Sequence, residues 1–327
     1  MKKVIVVGAN GFLGRELCKK LVSKGIAVVA LVAKGADYSF AKSLHNVNCI
    51  EFDLSRIVDW DGIEEIKGAD TMFYMAWAGV SSTYKNQVEI QVSNILYGIQ
   101  VMEFAHRNGI SRVIFPGSAS EYACGNEVIN GRSIPSPSDL YSASKVATKF
   151  LCQTYARQNG ISLIWAVITS IYGPGRNDEN LITYCIKTLL KGEKPSFTGL
   201  EQQWDYLYID DLIDALVAVG EKGIGGKTYP IGSGENKQIV EYVKIIRDMI
   251  DPTLPLGIGD IPYKNKTIDN QVLDVSELNE DTGFTARYSF ESGIKLTIDY
   301  YKNAIKSFCL YYIWCRFEWK HICTIEG

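Results

Sequence analysis

No apolar run in this chain reaches the roughly 20 residues that a bilayer-spanning helix needs. A signal peptide is also missing: Lys2 and Lys3 lead straight into a patterned strand with no small-residue cleavage site. A cytoplasmic chain without a membrane span is therefore expected. The 8 cysteines form no CxxC pair and no metal-ligand spacing. They read as reduced, mostly buried thiols, and no metal is expected. Nor is there an excess of one charge: the formal net charge is −3, with both signs interspersed. That excludes the basic footprint of a nucleic-acid binder. Internal repeats and low-complexity segments are absent too. What is plentiful is apolar: 46% of 327 residues, enough for one large domain, or a large domain with a smaller lobe.

The first two thirds alternate short β-branched runs with longer helical patterns. Strands are predicted at Lys3–Val7, Ala27–Val32, Asn48–Phe52, Thr71–Met75, Arg112–Pro116 and Ser162–Val167. Leu13, Leu17 and Leu21, with Cys18 and Val22, recur at helical spacing between the first two. Longer helices are predicted at about Tyr84–Arg107 and Leu140–Gln158. This alternation implies an α/β fold: a Rossmann-like, doubly wound parallel sheet covered on both faces. After about Ile171 the rhythm loosens and Gly and Pro become frequent. The expected organisation is a dinucleotide-binding domain over 1–170, a return to it at about 206–235, and a smaller interleaved lobe over 171–303 that binds substrate. The remaining tail, 304–327, is dense in aromatics and cysteines. It suits a helix on a partner, an interfacial segment or an abnormal reading-frame end, and no function is assigned to it.

The stretch VVGANGFLG places Gly8, Gly11 and Gly14 directly after the first strand and at the start of the first helix. Backbone N–H groups at a helix start are unsatisfied and carry partial positive charge, so they attract phosphate. Glycine permits the close approach. The spacing is G-x-x-G-x-x-G, not the commoner G-x-G-x-x-G, and its context carries the reading. After the second strand, the usual ribose-binding carboxylate of NAD sites is absent: the residues are Val32, Ala33 and Lys34. Arg15 follows the last glycine. Two cations and no carboxylate suit a 2′-phosphate, so NADP(H) is expected, with NAD(H) as the alternative if both cations are merely solvated.

Tyr-x-x-x-Lys occurs at Tyr38/Lys42 and at Tyr141/Lys145. Only the second copy has a third partner, because the fifth strand runs into GSASEY and puts Ser118 at its carboxyl end. Spacing of four sets Tyr141 and Lys145 on one helix face. With GANGFLG, FDL, YMAWAG, SNI, GSASEY, YSASK, SIYGPG and WDYLYIDD in this order, the chain resembles the extended short-chain dehydrogenase/reductase family, in its nucleotide-sugar epimerase/dehydratase/reductase group. The resemblance covers roughly residues 3 to 303. It implies that Tyr141 is the general acid/base, that Lys145 lowers its pKa and holds the nicotinamide ribose, and that Ser118 hydrogen-bonds the reacting oxygen. It further implies cofactor contacts at Gly8, Asn10, Gly11, Phe12, Leu13, Gly14, Arg15, Lys34, Asp53, Leu54, Ala76 and Asn94. Substrate contacts are implied at Ser120, Tyr172, Arg176, Asn180 and Trp204. A homodimer is implied through the two long helices, with Ile95, Ile99, Met102 and Ala105 as an apolar stripe compatible either with that pairing or with facing the sheet.

Departures from the pattern narrow the activity. Sugar 4,6-dehydratases of this group carry Asp-Glu after the serine or threonine; here stand Ala119 and Ser120, so dehydration is not expected. Glu121, one residue on, reads as a carboxylate satisfied within a turn. The frequent arginine before DF/DY is Trp204, which stacks on a base or sugar or simply packs, and the frequent asparagine of the SIYGPG segment is Ser170. The reading is hydride transfer at carbon 4 of a nucleotide-linked sugar, with reduction of a 4-keto-6-deoxy sugar first. A 4-epimerase is the alternative, and a non-catalytic NADP-binding regulator the second.

Overall fold

The computed structural model describes residues 1–60, 62–122, 128–176, 180–263 and 270–305, so nearly all of the 304–327 tail lies outside the described residues. The chain divides into two compact units. The first comprises Met1–Ile171, Glu201–Gln238 and Asn265–Arg287; the second comprises Tyr172–Leu200, Ile239–Lys264 and the chain from Tyr288 on.

The first unit is built on seven strands: β1 (Lys3–Val7), β2 (Ala27–Ala33), β3 (Val47–Phe52), β4 (Thr71–Tyr74), β5 (Arg112–Ser118), β6 (Ser162–Ile168) and β7 (Thr228–Ile231). They form one sheet in the order β7-β6-β5-β4-β1-β2-β3, parallel throughout. Strand order reverses between β1 and β4, and such a switch point opens a crevice at the carboxyl ends of the strands. Successive strand residues face opposite sides. Ile5, Val7, Val29, Leu31, Met72, Val113 and Leu163 join one core with Val101, Met102, Phe104, Ala105, Cys152 and Ala156. Those partners lie on α2 (Val88–Arg107) and α3 (Leu140–Asn159). The intervening Val4, Val6, Val28 and Ala30 are buried as well. On their side, α1 (Phe12–Ser23) packs against α5 (Ile209–Lys222).

Two sequence expectations about α2 are resolved here. Helix α2 starts at Val88, not near Tyr84, because the preceding residues close hydrogen-bonded turns: the Tyr84 N–H donates to the Ser81 carbonyl and the Gln87 N–H to that of Tyr84. For the stripe Ile95, Ile99, Met102 and Ala105 the sheet-facing alternative holds at its carboxyl end. Met102 and Ala105 are in the sheet-facing core, whereas the exposed apolar residues of α2 are Val88, Val92 and Leu96.

The segment Asn265–Arg287, expected in the smaller lobe, joins the first unit. Val272 and Leu273 pair with Val128 and Ile129, and α7 (Ser276–Thr282) packs on α5. In the second unit, α4 (Leu181–Leu190) packs on α6 (Ile239–Ile250). Phe290, in the helix that runs from 290 to 305, lies against Tyr172 and Tyr242.

Candidate active site

The glycine turn is shaped by contacts that only hydrogen can make. Gly8 has φ +79°, and a Cβ there would sit 2.8 Å from the Ala76 nitrogen. A Cβ on Gly14 would sit 2.3 Å from the Gly8 carbonyl oxygen. The Gly8 and Ala9 N–H groups donate to the Leu31 carbonyl at 2.9 and 3.1 Å, locking the turn to β2. Helix α1 then begins at Gly11 with no side-chain cap and no acidic residue in its first turn. Its first N–H groups thus have no side-chain acceptor, which is what a bound phosphate requires.

This turn borders a cavity of about 510 Å³, within the ~300–1,000 Å³ usual for small-molecule sites. Of the residues expected at the cofactor, Gly8, Asn10, Gly11, Lys34, Asp53, Leu54 and Ala76 line it. Phe12, Leu13, Gly14 and Arg15 occupy the first turn of α1, outside that lining. Asn10 also braces the end of β2, because its Oδ1 accepts the Ala33 N–H at 3.3 Å. The buried Asn94 grips the Ala78 backbone at both ends, accepting from its N–H at 3.1 Å and donating to its carbonyl at 2.9 Å. Its side chain therefore fixes the loop after β4, on which Ala76 sits. The uncapped turn and the lined cavity fit a nicotinamide dinucleotide.

Charge on the rim is more balanced than the sequence suggests. The Asp53 carboxyl is held below the usual carboxylate range, first by hydrogen bonds from Ser55 and then by Arg56 and Lys34. Asp37 is likewise lowered, by Ser39 hydrogen bonds and then by Arg15 and Lys42. Each cation assigned to a 2′-phosphate therefore has a carboxylate within electrostatic range. Asp37, in the loop after β2, passes unnoticed in the sequence because it lies beyond the strand end.

Ser118, Tyr141 and Lys145 are brought together where β5 ends beside α3. Asp139 caps α3 by accepting the Ser142 N–H at 2.8 Å, and Lys85 holds that carboxylate at 2.8 Å. This sets Tyr141 in the first turn, with its phenol hydrogen-bonded to the Ser118 side chain. Ser118 Oγ is also 2.8 Å from Ser120 Oγ. Burial pushes the Tyr141 phenol up to about 12; the Ser118 hydrogen bond opposes the rise, and the Glu121 and Asp139 carboxylates add to it. Lys145 is 3% exposed and its Nζ donates to the Pro116 carbonyl at 2.8 Å. Burial pushes Lys145 down to about 7, against the pull of Glu121.

Two residues without a role in the sequence pattern complete this region. Trp77 lines the cavity, and Lys145 Nζ lies 3.7 Å from its ring centroid. The same indole meets Tyr141 edge-on, with centroids 6.2 Å apart. Glu121, expected as a turn carboxylate, is fully buried. A tryptophan directly after Ala76, and a carboxylate within three residues of Ser118, were the signals available.

The expected substrate contacts are distributed over both units. Ser120 sits at Ser118, as described. Trp204 donates its indole N–H to Ser170 Oγ at 2.9 Å, so two of the positions that depart from the family pattern are bonded to each other. In the second unit, Tyr172 is buried and its hydroxyl donates to the Phe290 carbonyl. The Arg176 carbonyl accepts from the Tyr301 hydroxyl. Asn180 Oδ1 caps α4, accepting the Ile182 and Thr183 N–H groups at 3.0 and 3.1 Å. These hydrogen bonds hold Tyr172 and Asn180 in the framework of that unit. Among the described residues no cluster of His, Cys, Asp or Glu could hold a metal ion, and no helix is long and apolar enough to cross a membrane.

Comparison with known proteins agrees with this architecture. A dTDP-glucose 4,6-dehydratase of Xanthomonas campestris is 25% identical over 327 residues, covering 91% of this chain and 92% of that one. A dTDP-D-glucose 4,6-dehydratase of Dictyostelium discoideum is 26% identical over 256 residues, and the match spans 58% of its length and 71% of this chain. The fold matches the UDP-glucose 4-epimerase of Thermotoga maritima, solved with UDP-glucose, at TM-score 0.81 and 21% identity over 93% of this chain and 99% of that one. It matches a dTDP-glucose 4,6-dehydratase of Bacillus anthracis, solved with NAD, at TM-score 0.81 and 17% identity over 93% and 97%. The model of the NAD dependent epimerase/dehydratase family matches residues 4–232, and with Ser118, Tyr141 and Lys145 all present the chain belongs to that family as one of its enzymes.

Proposed function

We propose that this enzyme transfers hydride at carbon 4 of a nucleotide-linked sugar, and that its reaction is reduction of a 4-keto-6-deoxy sugar. The observation that carries this reading is Trp77, which forms part of the cofactor cavity wall and also touches Lys145 and Tyr141. It joins the phosphate-binding end of the site to the proton-transfer end. The nicotinamide, when bound, supplies the hydride. Ser118 Oγ hydrogen-bonds the substrate oxygen and Tyr141 gives that oxygen its proton. With its phenol pushed up to about 12, Tyr141 holds a proton throughout the neutral range. Donation to a carbonyl oxygen therefore needs no prior activation, whereas the reverse step needs the Lys145 ammonium to favour the phenolate. Ala119 and Ser120 supply no carboxylate for eliminating water, which sets the chain apart from the dehydratases it resembles. The intact set of three also weighs against a non-catalytic regulator.

The 4-epimerase reading is favoured by a different observation: Asp37 and Asp53 lie within electrostatic range of Arg15 and Lys34, which reduces the pull on a 2′-phosphate. One assay separates the readings. NADPH and NADH consumption is followed over nucleotide-linked 4-keto-6-deoxy sugars, beside C4 interconversion of nucleotide hexoses without added reductant. Net oxidation of reductant supports the reductase; interconversion alone replaces it with the epimerase. The cofactor preference has its own test. If Lys34 and Arg15 hold a 2′-phosphate, each supplies a charge-assisted bond worth roughly 1.5–3 kcal/mol. Lys34→Ala with Arg15→Ala is then expected to weaken NADPH by at least about tenfold per contact and NADH little. Equal losses would make both cations surface charges.

We also propose a homodimer in which Val88, Val92 and Leu96 of α2 and Phe150 and Leu151 of α3, all exposed in the single chain, are covered by a second copy. Light scattering at micromolar concentration is expected to give twice the chain mass, and Leu96→Glu to give a monomer. A monomeric wild type would end this assignment.

A further inference from the structure

We propose that Glu121 is a positioning residue of this site, a buried carboxylate that holds the end of β5 at Ser118 and balances the charge of the buried Lys145. The proposal rests on the dinucleotide-binding reading above.

The geometry starts at Gly117. A Cβ there would lie 2.7 Å from Glu121 Oε1 and 2.3 Å from Trp165 Nε1, so the carboxylate is pressed directly behind the strand end. Its Oε1 accepts the Ser118 backbone N–H at 2.7 Å. Its two oxygens accept the Trp165 indole N–H at 3.2 and 3.1 Å. These donors are neutral, and a buried carboxylate is costly without compensating charge. The compensating charges are Lys145 and Lys149, on successive turns of α3 and only 3% and 6% exposed. Their own hydrogen-bond acceptors are uncharged: the Pro116 carbonyl for Lys145 and the Tyr122 hydroxyl, at 3.1 Å, for Lys149.

Burial raises the Glu121 carboxyl, opposed by the Ser118 N–H and by both lysines; burial lowers both lysines, opposed by Glu121. Beside Lys145 stands Tyr141, its ring centroid 5.8 Å from Nζ; Tyr141 in turn lies within electrostatic range of Asp139, which pairs with Lys85 from the loop before α2. The Trp77 ring lies against Lys145 from the loop after β4, and the neutral Gln91 of α2 accepts from the Trp77 indole N–H and from Asn94. One anion therefore serves two buried cations. Without it, two ammonium groups one helical turn apart would share a low-dielectric layer, and one would lose its proton at a lower pH. Such a loss at Lys145 removes the cation that the family reading places at the nicotinamide ribose and beside the Tyr141 phenol.

The test measures cofactor affinity, not turnover. Fluorescence titrations with NADH and NADPH are run from about pH 6 to 9 on wild type, Glu121→Gln, Lys149→Met and Lys145→Met. Wild-type affinity is expected to fall on the alkaline side as Lys145 loses its proton, and Lys145→Met to abolish that dependence. Glu121→Gln keeps the shape and an acceptor oxygen but not the charge. Its midpoint is expected to move down by about one pH unit, with affinity at neutral pH reduced severalfold. Lys149→Met removes the competing cation, and its midpoint is expected to move up. An unmoved midpoint in Glu121→Gln would overturn the proposal and leave Glu121 a packing residue. If Glu121→Gln does not fold, Lys149→Met decides alone: a raised midpoint supports the shared anion and an unmoved one rejects it. A wild type that binds neither nucleotide would reject the dinucleotide reading itself, an outcome distinct from either of these.

Discussion

Tyr141→Phe is expected to lower turnover by at least about 10²-fold, the low end of what general acid–base catalysis contributes, and to leave dinucleotide affinity within a few fold of wild type. The substitution removes one oxygen. The ring keeps its edge-on contact with Trp77, and Lys145 keeps its bond to the Pro116 carbonyl, because neither involves the phenolic oxygen. What is lost is the proton carrier and the hydrogen bond to Ser118. Steady-state rates and a fluorescence binding curve on one preparation check both halves. Tyr38→Phe is the matched control: Tyr38 precedes a short turn at Ser39–Ser43 and is not among the cavity-lining residues, and its change is expected to leave turnover intact. Retention of most activity in Tyr141→Phe would remove Tyr141 from the mechanism, and a parallel loss in Tyr38→Phe would show that tyrosine loss acts through stability.

The parallel sheet was legible because its inner strands are buried on both faces, so they appear as unbroken apolar runs such as VIVV or AVVALV, whereas the edge strand β3, VNCIEF, does not. Boundaries were less legible. β5 continues past Pro116 to Ser118, since Pro116 and Gly117 stay in register with Ala166 and Val167 of β6. A proline suggests a stop because it donates no hydrogen bond, but its carbonyl remains available, and here it accepts from Lys145. The three chemical groups Ser118, Tyr141 and Lys145 could be named from spacing, because a strand end and one helix face specify them. Glu121 could not. Its character comes from Trp165, which is 44 positions away in sequence, and from Lys145 and Lys149, and nothing in GSASEY shows that these close over it. Charge at the cofactor rim was half legible for the same reason. The absent carboxylate after β2 is a local feature, whereas Asp37 reaches Arg15 through the shape of the following loop.

The bond between Trp204 and Ser170 adds a physical reason for two sequence departures. An arginine and an asparagine at these positions would each present polar atoms to a ligand. Here the indole N–H donates to the serine hydroxyl oxygen, and Lys237 is the cross-strand partner of Trp204. On the proposed reading, a substrate at Trp204 meets an indole where the family pattern has an arginine.

Gly14→Val is expected to abolish binding of both NADH and NADPH, with a loss of at least about 10²-fold, because the pyrophosphate loses more than one charge-assisted bond of roughly 1.5–3 kcal/mol. A Cβ at Gly14 would fall 2.3 Å from the Gly8 oxygen and 2.8 Å from the Ala9 Cα. Both are backbone atoms held in place, since the Gly8 and Ala9 N–H groups are tied to the Leu31 carbonyl. The new side chain cannot swing aside, so α1 must move relative to the turn. That movement carries the uncapped N–H groups at the start of α1 off the positions where they meet phosphate. Stability will fall as well, and the two effects must be separated. Gly25→Ala provides the reference. Gly25 has φ +76° but nothing within 4 Å of a built Cβ, so alanine there adds backbone strain of about 1–2 kcal/mol with no steric contact. Thermal unfolding is measured for wild type, Gly25→Ala and Gly14→Val with and without NADH or NADPH. The reference is expected to unfold at a lower temperature while keeping the full ligand-induced rise; Gly14→Val is expected to show no rise at any attainable ligand concentration. A normal ligand-induced rise in Gly14→Val would mean that the glycine turn does not hold the pyrophosphate, and the cofactor would have to bind elsewhere on the sheet.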